Sequence, residues 1–415
     1  MKSTQEKYIS WNTVLKAGIS IAFILGLCSL FIYLESHFEL LSPWKQAMES
    51  YQLTDLYHSF HKRQEVPSVD GRSVVLMDMS SVRDRDEFAE VVDRIGDAEP
   101  YLVAFDVIFP AAVTSDHRSD SLLTAAVNGL PRVVLASELR PEDGISYSLK
   151  SSFFAEESGA VEGAVLLPDG IVRHWSPLVV SGQDTLQVFT KAIADMAGLH
   201  MPATTEPQLI DYSIVDEFSI DAAGDWDPSF IKDQIVLVGD LNDLRDTHQV
   251  PITLKTSVRR SGVSIHHQIL LTCMNGSWFH VVPRWLTILL SLVILFAVTL
   301  LLIPVLDWAD GEDQKIDRKP SVYTIKRYCI SFFLRHISAI IQIALMVLAV
   351  LAGYFLFWVG GVYFDFKFLL TGYALLYLGF QFADALIEFT KVVIKHKDEE
   401  TVTDNCSGAA DDICQ

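Results

Sequence analysis

The sequence predicts an α/β domain, a mostly parallel sheet with flanking helices and a hairpin, held between α-helical membrane spans. Three observations predict it. Uncharged apolar stretches of spanning length crowd the two ends of the 415-residue chain. Between them, short apolar runs of strand length alternate with segments of helical period. One run, Val103-Ala104-Phe105-Asp106-Val107-Ile108-Phe109-Pro110, ends its apolar core on an aspartate and is closed by a proline. A helix follows beyond a polar loop, the usual form of a strand and crossover helix in a parallel sheet.

The acidic residues concentrate in the middle of the chain. Between Glu39 and Pro283 there are 36 Asp and Glu against 18 Lys and Arg, a difference of −18 that is nearly the whole net charge of −20. Such a domain is a poor partner for nucleic acid, whose phosphates need a basic surface. Of the five cysteines, only Cys273 falls in this middle region, so it holds no internal disulfide. Cys406 and Cys414 have no neighbouring histidine and do not form a zinc pattern.

In chain order, residues 1–16 carry Lys2, Lys7 and Lys16 against one Glu6 and are expected to be cytoplasmic. Residues 17–34 are uncharged and read as an uncleaved anchor, because no small-x-small cleavage site follows. Phe38 to Lys62 is amphipathic. Ser73 to Asp78 is a first strand, Asp86 to Ile95 a helix with one apolar stripe, and the run around Asp106 a second strand. Ser119 to Asn128 is a helix and Arg132 to Ser137 a third strand, whereas Asp143 to Gly159 is polar and irregular. Ala160 to Leu167 and Ile171 to Trp175, joined at Asp169-Gly170, read as a hairpin. Thr185 to Ala197 is a helix, Gln208 to Ser213 a strand, Gln234 to Asp240 the best core strand, and Gly262 to Asn275 a helix.

Residues 285–306, 337–360 and 368–389 are three further spans, with a basic loop at 307–336 and a polar tail at 390–415 expected to be disordered. With four spans, the basic clusters at the amino end, the loop and the start of the tail all fall on one side. Both termini are then cytoplasmic and 36–283 lies outside.

Several stretches resemble a known family. They are the strand ending Met77-Asp78; Val103 to Phe109 with Asp120, Leu122-Leu123 and Ala125-Ala126; Asp169-Gly170-Ile171-Val172-Arg173; Leu209-Ile210-Asp211-Tyr212; Lys232 to Gly239; Asp246 with His248; and Gly262-Val263-Ser264-Ile265-His266 with Gln268-Ile269-Leu270. In this order they resemble the second class of the cyclase/histidine-kinase-associated sensory extracellular domain, the CHASE2 domain, over about Val66 to Trp285. Where that family often carries a Trp-Pro-Trp and arginine segment, this chain reads Ser81-Val82-Arg83-Asp84-Arg85-Asp86. The resemblance implies an extracytoplasmic sensory domain on a bacterial inner membrane. Family members usually add a catalytic output domain after the last span. Here Lys391 to Gln415 remain, so the expected reading is a non-enzymatic, multi-pass sensor in contact with membrane lipid that signals to a cytoplasmic partner in trans, with room for a homodimer. Two other readings are a structural subunit of an envelope complex and a metal- or carboxylate-dependent extracytoplasmic hydrolase using Asp78, Asp106 and Asp240.

Ligands of open parallel sheets bind beyond the carboxyl ends of the strands. Asp78, Asp106, Glu138 and Asp240 stand at or just past such ends. They are the candidate ligand-binding residues, together with Arg173 after the Asp-Gly turn and His248 in the following loop, for a small molecule or an envelope protein. Asp240, Asp243, Asp246 and His248 make an oxygen-rich loop without calcium-loop spacing, which reads as loop solvation. His266 and His267 are adjacent and do not share a helical face, so they are not expected to pair on a ligand. No catalytic motif, phosphate loop, cofactor site or metal centre is expected.

Overall fold

A computed structural model describes residues 11–37, 52–63, 65–109, 117–142, 146–168, 170–214, 218–251, 258–317 and 325–411. Most of the amphipathic stretch after the anchor, the turn residue Asp169 and the centre of the basic loop lie outside these ranges. The chain divides into two compact units, residues 50–281 and a unit formed by 1–49 with 282–415.

The first helix, α1 (Trp11–His37), belongs to the second of these units. In the other, α2 (Leu53–Phe60) precedes β1 (Val74–Asp78), α3 (Arg85–Asp97), β2 (Leu102–Phe105), α4 (His117–Asn128), β3 (Val133–Pro141) and β4 (Tyr147–Lys150). Next come a short α5 (Ala155–Ser158), β5 (Val161–Val165), β6 (His174–Trp175), β7 (Leu178–Ser181), β8 (Asp184–Gln187), α6 (Phe189–Ala197), β9 (Gln208–Leu209) and β10 (Ser219–Asp221). The unit continues through β11 (Ile235–Gly239), β12 (Thr247–Val250), β13 (Val258–Ser261) and α7 (Gly262–Met274). Asp84 caps α3 by accepting the Glu87 amide, and Ser261 caps α7 by accepting the Ser264 amide.

The main sheet runs β10-β1-β11-β2-β3-β5, parallel throughout, with β4 folded back antiparallel on the end of β3. Strands buried on both faces read as unbroken apolar runs, which is why Val74 to Met77 and Ile235 to Val238 show no alternation in sequence. The faces separate in the packing. Val74, Leu76, Leu102, Ala104, Val134, Ala136 and Leu237 pack with α6 and α7. Val75, Met77, Val103, Phe105, Leu135, Val236 and Val238 pack with α3 and α4. The unit is therefore a three-layer α/β/α sandwich, with β11 inserted between β1 and β2.

Three expectations are corrected. The hairpin at Asp-Gly does not form. β5 pairs in parallel with β3 and so joins the main sheet, and β6 pairs antiparallel with β9, so neither strand is left to pair with the other. The start of the expected 185–197 helix is instead β8, paired with β7 around Gly182, and α6 begins only at Phe189. The polar 143–159 stretch contributes β4 and α5, anchored by the buried Phe154.

In the second unit α1 is joined by α8 (Arg284–Asp317), α9 (Ile325–Gly360) and α10 (Lys367–Asp411). Each contains a stretch long and apolar enough to cross a membrane: Trp11–Phe31, Arg284–Ala309, Ala339–Gly360 and Lys367–Ile394. Ala17 and Ile24 of α1 pack with Leu302 and Ile303 of α8 and with Leu376 and Phe380 of α10. Lys16 lies between Asp307 and Asp384, 3.1 and 2.7 Å away, and so joins three helices. The tail expected to be disordered continues α10 to Asp411, since no proline interrupts it.

Candidate functional site

Register places the candidate carboxylates. Asp78 of β1 lies beside Gly239 of β11, and Phe105 of β2 lies beside Val238. One residue further, Asp106 therefore stands level with Gly239, and its amide donates to the Val238 carbonyl at 2.8 Å. Asp78 and Asp106 flank Gly239 across two strand spacings, about 10 Å. Alternation turns both toward the α7 side of the sheet, since Leu76, Ala104 and Leu237 face that way.

Gly239 lets α7 close down on this level. A Cβ there would lie 2.6 Å from Cγ2 of Val263, so only glycine fits. At the other side of the same helix start, a Cβ on Gly262 would lie 2.8 Å from Oδ1 of Asp246, leaving room for that carboxylate alone. Asp246 accepts the Gly262 amide at 3.0 Å, where the exposed N–H groups of α7 favour negative charge. Its other oxygen lies 3.0 Å from Nε2 of His248 on β12.

Asp106 differs from its neighbours. Its carboxyl is half-buried and, among the described residues, takes part in no hydrogen bond or ion pair. Burial, and then the Asp246 charge, push it up to about 7. His266, one turn beyond Gly262 on the same helical face, is fully buried with neither ring nitrogen hydrogen-bonded. Its ring meets Phe189 of α6 edge-to-face, with centroids 5.4 Å apart, and the His248 charge acts on it. Burial, aided by the His248 charge, pushes its imidazole down to about 3, so it is neutral at physiological pH.

The other sequence candidates separate from this mouth. Asp78 accepts the Ser80 amide, the Ser80 hydroxyl and the Leu241 amide at 2.9 to 3.1 Å, and thereby ties β1 to the loop after β11. Asp240 faces away from Asp106 by the strand alternation, is exposed, and accepts the Asn242 amide in a turn. Glu138 stands two residues past the level of Asp106, half-exposed beside Arg140 and Lys150. Arg173 is not available to a ligand. It is sealed in a two-pronged pair with Asp55 of α2, Nε to Oδ1 at 2.9 Å and Nη2 to Oδ2 at 2.6 Å. Of the six candidates, Asp106 and His248 border the mouth, and Asp78, Arg173, Glu138 and Asp240 serve elsewhere. Asp246 and His266 complete it.

No group of three or more His, Cys, Asp or Glu among the described residues could hold a metal ion. The mouth has two carboxylates, one tied and one free, and two imidazoles, one neutral and buried. It can accept hydrogen bonds and compensate positive charge.

The chain joins an α/β/α sandwich to four helices long and apolar enough to cross a membrane, the make-up of a membrane protein that carries a folded domain. The family model for the CHASE2 domain matches residues 24–303, about two thirds of the chain, and the chain belongs to the CHASE2 family of extracellular sensory domains. No curated protein and no solved structure matches it.

Proposed function

We propose that this chain is a multi-pass membrane sensor whose ligand enters the mouth formed by Asp106, Asp246 and His248 at the carboxyl ends of β1, β11 and β2. The observation that carries the proposal is the Asp106 carboxyl, fixed by its backbone, half-buried and unpartnered, in a sheet whose other end-of-strand acids are satisfied. A carboxyl partly withdrawn from water and left without a protein partner is less well solvated than one in bulk water. A ligand that supplies that partner gains what the apo state lacks. In this reading 36–283 is extracytoplasmic, the basic clusters hold both termini in the cytoplasm, and a cytoplasmic partner in trans gives the output. A hydrolase built on Asp78, Asp106 and Asp240 has less support, because Asp78 and Asp240 are occupied by backbone amides.

The test is a thermal-shift screen of a small-molecule library on the full chain in nanodiscs, run in parallel on Asp106→Asn. Compounds that raise the melting temperature of the wild-type chain by several degrees and leave the variant unmoved support the site. Compounds that shift both equally place the ligand elsewhere.

A further inference from the structure

We propose that α2 is an acid-released latch: it rests docked on the sheet unit through a polar buried face, and a proton taken up by His58 lets it go. The inference does not depend on what the mouth binds.

Helices usually dock through apolar stripes. α2 instead buries Thr54, Asp55, Tyr57 and His58. Asp55 is clasped by Arg173. Just past the helix, the Arg63 amide donates to the Ser213 carbonyl at 2.7 Å, and the Lys62 ammonium reaches the Tyr212 carbonyl at 3.4 Å. The receiving segment, 211–214, is itself fixed to α7. The Asp211 amide donates to the Thr272 hydroxyl at 3.0 Å, and the Gln268 side chain donates to the carbonyls of Asp211 and Ile214 at 2.7 and 3.1 Å. The Tyr57 ring also meets Phe279 edge-to-face, with centroids 6.1 Å apart. In chain order α2 is the first described element after α1, and Phe279 comes just before the start of α8 at Arg284. Docking of α2 therefore joins the two stretches of the sheet unit that lead to spans.

His58 is the weak member of this face. It is 1% exposed, and neither ring nitrogen makes a hydrogen bond among the described residues. Its ring stands edge-on to Tyr57 and Tyr212, with centroids 5.5 and 5.8 Å away. Nε2 lies 3.8 Å from Oδ1 of Asp211, beyond hydrogen-bond reach, and that oxygen already accepts the Ser213 amide and hydroxyl. Oδ2 of Asp211 is buried and makes no hydrogen bond among the described residues either. The interface thus holds polar atoms that water would satisfy, and release relieves that cost.

The charges around the ring balance without it. Asp55 and Lys62 face it from α2 and its end, Asp211 from the 211–214 segment, and Arg173 from the stretch before β6. Asp55 is matched by Arg173, and Asp211 attracts Lys62. Arg260 of β13 adds positive charge near Lys62 and Tyr212, and Arg63 lies 3.5 Å from the Tyr57 hydroxyl. Burial keeps both tyrosines neutral, and α7 presents the uncharged Gln268 and Thr272. A proton on His58 brings an unmatched positive charge into a closed interface.

Burial pushes the docked imidazole down to about 4, against its ordinary 6.5 once the ring meets water. The released state therefore binds the proton more tightly. Docking has its full stability above pH 6.5 and loses it as pH falls toward 4. Between about pH 7.5 and pH 5 the docked-to-released ratio falls about thirtyfold. A helix of 8 residues does not persist alone in water, so release is also unwinding.

The experiment is hydrogen–deuterium exchange of the full chain in nanodiscs at about pH 7.5, 6 and 5, each rate divided by the intrinsic rate of that amide at that pH. The expected result is that protection of the amides of 57–61 and of Arg63 falls about thirtyfold from pH 7.5 to 5, while β1 and β11 keep theirs. His58→Phe retains the ring packing, cannot titrate and abolishes the fall. His58→Gln does the same should the phenylalanine variant not fold. His61→Gln, which alters the ring stacked on Tyr57, keeps the fall. Protection of α2 that changes by less than about threefold overturns the latch. So does a fall shared by β1 and β11, one that persists in the His58 variants, or one that His61→Gln abolishes.

Discussion

Arg173 and Asp55 hold α2 against the sheet unit, and their separation is the perturbation whose size the structure sets best. The two side chains are 5% and 4% exposed, and the guanidinium meets the carboxylate through two hydrogen bonds. Asp55 also accepts the Gln52 amide and the Thr54 hydroxyl, so it cannot turn to water without dismantling the start of α2. Arg173→Met leaves that carboxylate buried and uncompensated, a loss of about 3–5 kcal/mol. That is a large part of a domain stability of about 5–15 kcal/mol. Asp55→Leu strands the guanidinium and should lose a similar amount. The double variant replaces the pair by apolar groups and should lie within about 2 kcal/mol of the wild-type chain, giving a coupling of several kcal/mol. Urea unfolding of the full chain in detergent, followed by tryptophan emission to which the buried Trp175 contributes, measures all four corners of the cycle. Single variants that move the midpoint by less than the equivalent of about 1 kcal/mol, or losses that simply add, would refute the claim that this pair holds α2 in place.

Gly239→Ala forces Val263 away from β11 and should destabilise the unit by about 1–3 kcal/mol in a thermal melt, as overpacking does. An unchanged melting temperature would mean that α7 does not close on this strand. The mouth also sets two opposed pH dependences. Burial lifts Asp106 to about 7, so between about pH 4 and 7 the folded chain keeps a proton that the unfolded chain releases. Stability from this group is full below that window and falls as pH rises through it, by at most about 1.4 kcal/mol per unit, and Asp106→Asn should flatten the fall. His58 and His266 are both lowered by burial, so their contribution is present above pH 6.5 and lost as pH falls below it. His266→Gln should flatten the acid side of a stability–pH curve recorded by urea titration. Lys16→Met removes the cation shared by Asp307 and Asp384 and should lower the detergent melting temperature of the chain, more than Lys7→Met does.

The layers of the sheet unit are legible in sequence because its central strands are short apolar runs and its outer helices carry apolar stripes, as in Phe88, Val91, Val92 and Ile95. Pairing order is less so. Nothing local places β11 between β1 and β2, and nothing local distinguishes the parallel union of β5 with β3 from a hairpin. Asp106 is legible, since a carboxylate directly after four apolar residues needs a partner that the adjacent sequence lacks. Asp240 could have been set apart by parity, because it follows Gly239 and Gly239 stands level with Asp106. Arg173 was misleading because its partner lies 118 positions away, on a helix whose amphipathic character is visible but whose docking face is not. In sequence Asp246 reads as loop solvation, and His266 as a neighbour of His267 that does not share its helical face. Only the fold shows that Asp246 reaches the first amide of α7 and that His266 stands on the Gly262 face.

Hydrogen–deuterium exchange on the full chain in nanodiscs, with and without a compound that raises the melting temperature of the wild-type chain and not of Asp106→Asn, tests the central claim most directly. The account predicts protection confined to the amides of residues 240–250 and 262–266, where the loop after β11 meets the start of α7, and its loss in Asp106→Asn. Protection centred on any other part of the chain, or protection that persists in Asp106→Asn, would contradict it.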